Sequence, residues 1–225
     1  MYEFKTVISE HDIDKRKLKQ SLQYRPGYEF TKRVFDIMGS CLGLIIFPPI
    51  YLILAIAIKW DSPGKVLFRS KRWFNSRHFF NMLKFRTMVE EADLILKKDK
   101  DLGEKFYQNA KLKNDPRLTR IGRFLRKTSL DELPQLFNIL KGEMSIVGPR
   151  PKLVKEIHKY GNWKKYVLKV KPGLTGYWQI TGRNDISYNQ RILKDIYYIQ
   201  NRSFWFDFVI ILRTIIMVLR SKGAY

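Results

Sequence analysis

The chain has 225 residues, enough to bury a full core as one domain. Lys and Arg number 43 against 21 Asp and Glu, so the formal charge is +22. This excludes an ordinary near-neutral surface and implies an anionic partner: nucleic acid, anionic lipid or a phosphorylated substrate. The 14% aromatic content argues against a disordered basic protein, and a single cysteine, Cys41, excludes a disulfide framework or a thiolate-rich metal site.

Residues 1–27 mix short apolar and charged clusters, with His11, Asp12, Asp14, Lys15, Arg16 and Lys17 close together. They read as an exposed arm with a short surface helix near 12–23, ended by Pro26-Gly27, and are too polar for a signal-peptide core. Residues 38–58, MGSCLGLIIFPPIYLILAIAI, then run for 21 positions without a formal charge. About 20 helical residues span a hydrocarbon core, so length alone allows a transmembrane helix. Basic residues flank both ends, however: Lys32 and Arg33 before, Lys59, Lys65, Arg69, Lys71 and Arg72 after. Both ends therefore favour the same side.

Pro48-Pro49 stands mid-run, removing two amide hydrogens and forcing a kink or break. Residues 37–47 would rise about 16 Å, near half the hydrocarbon depth. A re-entrant hairpin over 28–60, turning at Pro48 and Pro49, satisfies both facts. Ser40 or another helix would supply a partner for the carbonyls freed at the break. A kinked single span and a buried core helix are the competing readings.

Apolar stretches at 66–68 and 78–85 surround RSKRWFNSR and predict a short β-hairpin. Glu90, Glu91 and Asp93 open a charged surface helix reaching Lys113, and Asp115-Pro116-Arg117 marks a turn. Residues 152–169 have the spacing of an amphipathic helix with a basic face, placing Trp163, Tyr166 and Val167 at a membrane interface. PGLTGYWQ at 172–179 forms a turn-rich loop, and 186–200 reads as a helix bearing Asp195 and Tyr197. Residues 204–219 are almost continuously apolar, but Asp207 and Arg213 disfavour a span. That leaves a helix lying along the membrane or packed on the core.

The chemistry concentrates in 128–151, TSLDELPQLFNILKGEMSIVGPRP. Ser129 can cap a helix with Glu132 at capping-box spacing, or Asp131 can cap it with Pro134 early in the first turn. Either scheme puts Asp131 and Glu132 near free amides and favours their ionised forms. An ionised Asp can attack phosphorus and form an acyl phosphate, splitting one displacement into two. Arg86, Arg126 and Arg150 are candidates to screen the phosphoryl oxygens. A hard divalent ion on the carboxylates and a diphosphate fits the same chemistry, magnesium first and manganese as a substitute. The plain alternative is that Asp131 and Glu132 only cap a helix.

KRVFDIMGS (32–40), DSPGKVLFRSKR (61–72), FNMLKFRTM (80–88), NDPRLTRIGRFLRKTSLDELPQLFNILKGEMSIVGPRP (114–151) and KPGLTGYWQITGRN (171–184) together resemble the bacterial sugar transferase family, the monotopic phosphoglycosyl transferases. The resemblance runs over 30–225, and SLDELPQ followed by GPRP is its most specific pairing.

It implies a mostly α-helical monotopic membrane protein with a short β-hairpin, a re-entrant helix-break-helix and interfacial helices. It also implies a catalytic domain over 61–225 at the cytoplasmic face of the bacterial inner membrane. Asp131 would be the nucleophile on a UDP-hexose, galactose or glucose, and undecaprenyl phosphate the acceptor. Glu132 would bind magnesium or orient the lipid phosphate, and Lys84, Arg86 and Arg150 would neutralise phosphates. Gln179, Arg183 and Asn184 mark the place for nucleotide and sugar contacts.

Implied partners are the two substrates and an anionic phospholipid surface, with a homodimer allowed. Nucleic acid is not among them, since no recognition motif accompanies the charge. Longer members carry N-terminal membrane helices, so this chain looks like the catalytic unit alone. One departure stands out: where the family has a glycine after the hairpin arginine, Arg72 is followed by Trp73-Phe74-Asn75-Ser76. Asn75 or Ser76 must make the turn.

Overall fold

The computed structural model describes residues 4–98, 104, 115–182 and 186–220. It is mostly helical, with one antiparallel hairpin and one short parallel ladder, the fold class expected from the sequence. Two long helices near the N-terminus, α2 (Pro26–Ile46) and α3 (Pro48–Asp61), meet at Phe47 with a bend of 63°. Pro48 and Pro49 open α3, where missing amide hydrogens cost least. No single helix among the described residues is long and apolar enough to cross a membrane, whereas the bent pair is, by length and composition. Its outer surface exposes Met38, Leu42, Ile45, Leu52, Ile53 and Trp60.

The inner face of the pair is tied down by polar groups. Asp36, buried in α2, accepts from Ser145 Oγ at 3.0 Å and the Ile146 amide at 2.8 Å. Arg33 donates to the carbonyls of Ile139 and Leu140 at 2.7 and 2.8 Å. From α3, Tyr51 OH donates to the Leu133 carbonyl at 2.7 Å. Ser40 does not serve the break. Its Oγ donates one turn back in α2, to the carbonyls of Asp36 at 2.6 Å and Ile37 at 3.1 Å. A hydroxyl in a helix reaches its own preceding turn more easily than carbonyls on the next.

The N-terminal segment is packed, not an exposed arm. Ile8 and Leu18 are fully buried and Ile13 nearly so. They belong to a core shared with α9 (Tyr188–Asn201) and α10 (Phe204–Leu219). Asp14 caps α1 (Lys15–Ser21) by accepting from the Arg16 and Lys17 amides at 2.7 and 3.2 Å. Side chains of α9 hold the segment's backbone. Gln190 accepts from the Ile8 amide at 2.9 Å and donates to its carbonyl at 2.7 Å, and Gln200 accepts from the Asp14 amide at 2.7 Å. Ile8, Ile13 and Leu18 recur every five residues, a spacing that matches neither helix nor strand, so the sequence pattern concealed their burial. Leu18→Ala should cost about 2–5 kcal/mol, read as a lowered melting temperature in detergent, whereas an exposed arm would leave stability within about 0.5 kcal/mol.

The amphipathic helix expected over 152–169 is absent. Turns lead into a 3-10 segment, Ile157–Trp163, interrupted at Gly161 with φ +48°, before the four-residue α7 (Lys164–Val167). Val167 is buried, and the partly buried Trp163 and Tyr166 pack against the core. The left-handed glycine ends the regular repeat. α10 packs one face on the core and leaves the other exposed. Phe206, Asp207 and Ile210 face the core, while Trp205, Leu212, Ile215 and Leu219 are exposed.

Candidate active site

Strands β1 (Leu67–Trp73) and β2 (Phe79–Phe85) pair antiparallel from Leu67↔Phe85 to Trp73↔Phe79. In place of a glycine turn, Asn75 Oδ1 accepts from the Arg77 and His78 amides, both at 2.9 Å. The Asx geometry makes the turn with a side chain. The register puts Lys84 near the end of β2. α4 (Ala92–Lys98) follows, where the acidic start was read; of the remainder expected to Lys113, only Glu104 is described.

α5 (Arg120–Thr128) is capped twice. Thr119 Oγ1 accepts from the Gly122 amide at 2.9 Å and Asp61 from the Ile121 amide at 2.8 Å. The helix ends at Ser129, which adopts φ +60°, the one positive-φ non-glycine among the described residues. That costs about 1–2 kcal/mol and turns the chain sharply. Leu130–Glu132 then form a 3-10 turn, and α6 (Gln135–Lys141) starts beyond Pro134. Neither capping scheme survives. Ser129 closes the preceding helix, and Pro134 takes the cap position of α6 without a side-chain bond.

The carboxylates are therefore steadied by cations. Lys84 Nζ lies 2.6 Å from Glu132 Oε1 and 3.4 Å from Asp131 Oδ2. Burial pushes the Asp131 carboxyl above its ordinary value; Lys84 pulls it down, Glu132 pushes it up, and Arg126 pulls it down. Asn138 of α6 fixes this juxtaposition: its Oδ1 accepts from the Leu83 amide and its Nδ2 donates to the Asn81 carbonyl, both at 2.9 Å. Strand β2 and the dyad cannot slide past one another.

Arg126 donates from Nε to Thr87 Oγ1 at 3.0 Å and lines the cavity beside the dyad. Arg86 departs from expectation. Its guanidinium binds the carbonyls of Pro63 and, at 2.8 Å, Ser62, closing the end of α3. Arg86 thus clamps the end of α3, and it also lines the cavity that holds the dyad. Gln179, on α8 (Tyr177–Ile180), lines the cavity and donates to the Leu174 carbonyl at 3.2 Å. Arg183 and Asn184 lie outside the described residues.

Arg150 reaches the cavity because β3 (Ser145–Val147) pairs parallel with β4 (Gly173–Thr175). Gly148 and Gly173 meet backbone to backbone, and a Cβ on Gly173 would collide with the Gly148 amide. Behind Arg150, Lys152 donates to Asp195 at 2.6 Å inside the core, as does Tyr160 OH at 2.7 Å. Sequence reasoning missed Asp36, Asp207 and Lys152 as anchors. For Asp36 and Asp207 the available signal was an acid inside an apolar stretch, which must find a partner; Lys152, in a basic turn, gave none.

The dyad opens into a cavity of 1870 Å³. Lys84, Arg126 and Arg150 line it near the carboxylates, and Phe47 at the helix break and Ile211 and Ile215 of α10 line it elsewhere. Among the described residues, no third Asp, Glu, His or Cys joins Asp131 and Glu132 in a protein-only metal site. Magnesium commonly takes one or two carboxylates with substrate phosphates, so this donor set fits a shared site.

A bent apolar helix pair beside an acidic dyad in a cationic cavity defines a membrane-associated, mostly helical protein. The chain belongs to the bacterial sugar transferase family, whose profile matches residues 27–221. It is 43% identical over 205 residues to exopolysaccharide production protein ExoY of Rhizobium meliloti, covering 89% of this chain and 91% of the other. To the undecaprenyl-phosphate galactose phosphotransferase of Salmonella typhimurium it is 41% identical over 224 residues, covering 98% of this chain and 47% of that protein. A UDP-glucose:undecaprenyl-phosphate glucose-1-phosphate transferase of Caulobacter vibrioides is 37% identical over 233 residues, with 97% of this chain and 83% of the relative covered. The chain spans less than half the length of several curated relatives it matches, 42% and 47% in two cases.

Proposed function

We propose that this protein transfers a hexose 1-phosphate from a UDP-hexose to undecaprenyl phosphate, releasing UMP, as the first membrane step in building a surface glycan. The observation that carries this reading is the buried Asp131-Glu132 pair, steadied by Lys84, in a cavity also lined by the helix break and by α10. The family and the activities named for the relatives from Salmonella and Caulobacter support it. The sugar is galactose or glucose, both of which the YWQITGRN stretch and the GAY ending resemble, with galactose the first to test.

Asp131 attacks the β-phosphorus, and the bond from that phosphorus to the oxygen bridging the α-phosphate breaks. UMP leaves with the electron pair, and the hexose phosphate stays on the Asp131 carboxylate as an acyl phosphate. An oxygen of undecaprenyl phosphate then attacks the same phosphorus, releasing Asp131 and forming the lipid diphosphate sugar. A carboxylate raised by burial is, once ionised, a better nucleophile than a solvated one, and the Lys84 charge favours the ionised form. Arg126 and Arg150 neutralise the phosphoryl oxygens. Magnesium, or manganese, would be held by Asp131 and Glu132 and would supply charge neutralisation on the diphosphate.

The bent pair enters the bilayer and returns by the same face, since Lys32 and Arg33 precede it and Lys59 and Lys65 follow it. Its exposed apolar surface and that of α10 then meet lipid, basic residues meet anionic headgroups, and the cavity faces the cytoplasm of the bacterial inner membrane. Protein in lipid discs, given a panel of UDP-hexoses, should release UMP from one preferred sugar only when undecaprenyl phosphate and magnesium are both present for sustained turnover. No UMP from any donor would overturn the reading.

A further inference from the structure

The short helix α8 supplies part of the cavity wall, since Trp178, Gln179 and Ile180 all line it. It has four residues and no side-chain cap at Gly176, so it cannot hold its own orientation. Its rear is held from elsewhere. Lys194 of α9, fully buried, donates to the Thr181 carbonyl at 3.1 Å, the Thr181 hydroxyl at 2.8 Å and the Lys5 carbonyl at 3.3 Å. The Thr181 hydroxyl in turn donates to the Tyr177 carbonyl at 2.7 Å. An ammonium at the last carbonyls of a helix also has the favourable sign of charge. Burial lowers Lys194 to about 8, so it remains an ammonium at neutral pH.

The N-terminal segment closes the same rear face. The Phe4 ring lies 5.7 Å from that of Tyr177 and 6.1 Å from that of Phe206, and Arg213 Cζ sits 3.4 Å from its centre. Gln190, one turn before Lys194 on α9, holds both backbone groups of Ile8. One buried lysine is therefore shared between the start of the chain and the cavity wall. Residues 4–22 precede the span matched by the family profile, 27–221. Burying an ammonium is costly unless its donors are used, and here they join two segments far apart in sequence.

We propose that Lys194 and the N-terminal segment, through Phe4 and the Lys5 carbonyl, are a positioning device that holds α8 in the orientation the cavity needs to bind its donor substrate. That the donor is a UDP-hexose rests on the function proposed above; the anchoring of α8 does not. A wall ordered beforehand does not have to be ordered on binding, so its release weakens donor binding and leaves the reacting atoms alone.

The test is amide hydrogen exchange on the full chain in detergent, with steady-state kinetics, for wild type, Lys194→Met and Phe4→Ala. The Gln179, Ile180 and Thr181 amides, bonded within the turn, should exchange about tenfold faster in Lys194→Met and about threefold faster in Phe4→Ala, while β2 and α6 keep wild-type rates. KM for UDP-hexose should rise about fivefold or more in Lys194→Met, with kcat and the KM for undecaprenyl phosphate within about twofold of wild type. Should Lys194→Met lack a cooperative melt, Phe4→Ala decides by the same pattern. Faster exchange throughout the chain, or wild-type rates at 179–181, overturns the device and leaves Lys194 a purely structural residue. Locally faster exchange with an unchanged donor KM, or a fall in kcat alone, overturns its part in donor binding. Absence of turnover in wild type removes the transfer reading, and the exchange pattern then decides the anchoring by itself.

Discussion

Asp131→Asn should lower transfer by at least about a thousandfold while the protein stays folded and membrane-associated, because the amide cannot carry a phosphosugar. The substitution is isosteric and retains an oxygen facing Lys84, so packing around the dyad changes little. Its pH behaviour sharpens the expectation. The folded carboxyl titrates above the ordinary aspartate value, chiefly through burial, so the inactive protonated form persists to higher pH than for a solvated Asp. Activity should therefore rise with pH through that raised value, and the acid limb of the kcat/KM profile should lie above the solvated aspartate range. Near-wild-type turnover by Asp131→Asn would remove the nucleophile assignment.

The second large effect is structural. Asp207, in the apolar α10, accepts from Lys32 at 2.7 Å, Tyr28 at 3.0 Å and Tyr198 at 2.7 Å. Both members of the Lys32–Asp207 pair are largely buried, with side chains 13% and 9% exposed. Asp207→Asn removes the charge that Lys32 contacts at 2.7 Å and leaves Asp36 as the nearby carboxylate for the largely buried ammonium. Breaking such a pair costs about 3–5 kcal/mol, whereas replacing both partners by apolar groups is often neutral. Asp207→Asn should thus melt roughly 6–20 °C below wild type. Asp207→Leu with Lys32→Met should recover much of that loss. This pair joins the start of the bent helices to the C-terminal helix, so its loss should also loosen the cavity. A melting temperature unchanged by Asp207→Asn would show that the pair is solvated and contributes little.

Much of the fold was legible where a single residue type forces geometry. Pro48 and Pro49 broke the apolar run where their missing amides required it, and Asn75 made the hairpin turn that lacks a glycine. The acidic dyad and Lys84 stood out because motif and charge coincided. What stayed hidden depends on tertiary partners. Arg86 looks like any basic residue until the Ser62 carbonyl is found against it. The parallel ladder joins strands of three residues separated by 25 positions, too short to leave an alternating pattern. Residues 152–169 had the right spacing, but turns before Ile157 and the positive φ of Gly161 leave only a 3-10 segment and a four-residue helix.

The central claim, a two-step transfer through Asp131, is tested most directly by isotope exchange. Protein is incubated with UDP-hexose and labelled UMP, with magnesium and without any lipid acceptor. A covalent phosphosugar on Asp131 predicts label appearing in UDP-hexose, and no exchange with Asp131→Asn. Exchange that appears only when undecaprenyl phosphate is added would contradict the account and point to direct transfer in a ternary complex.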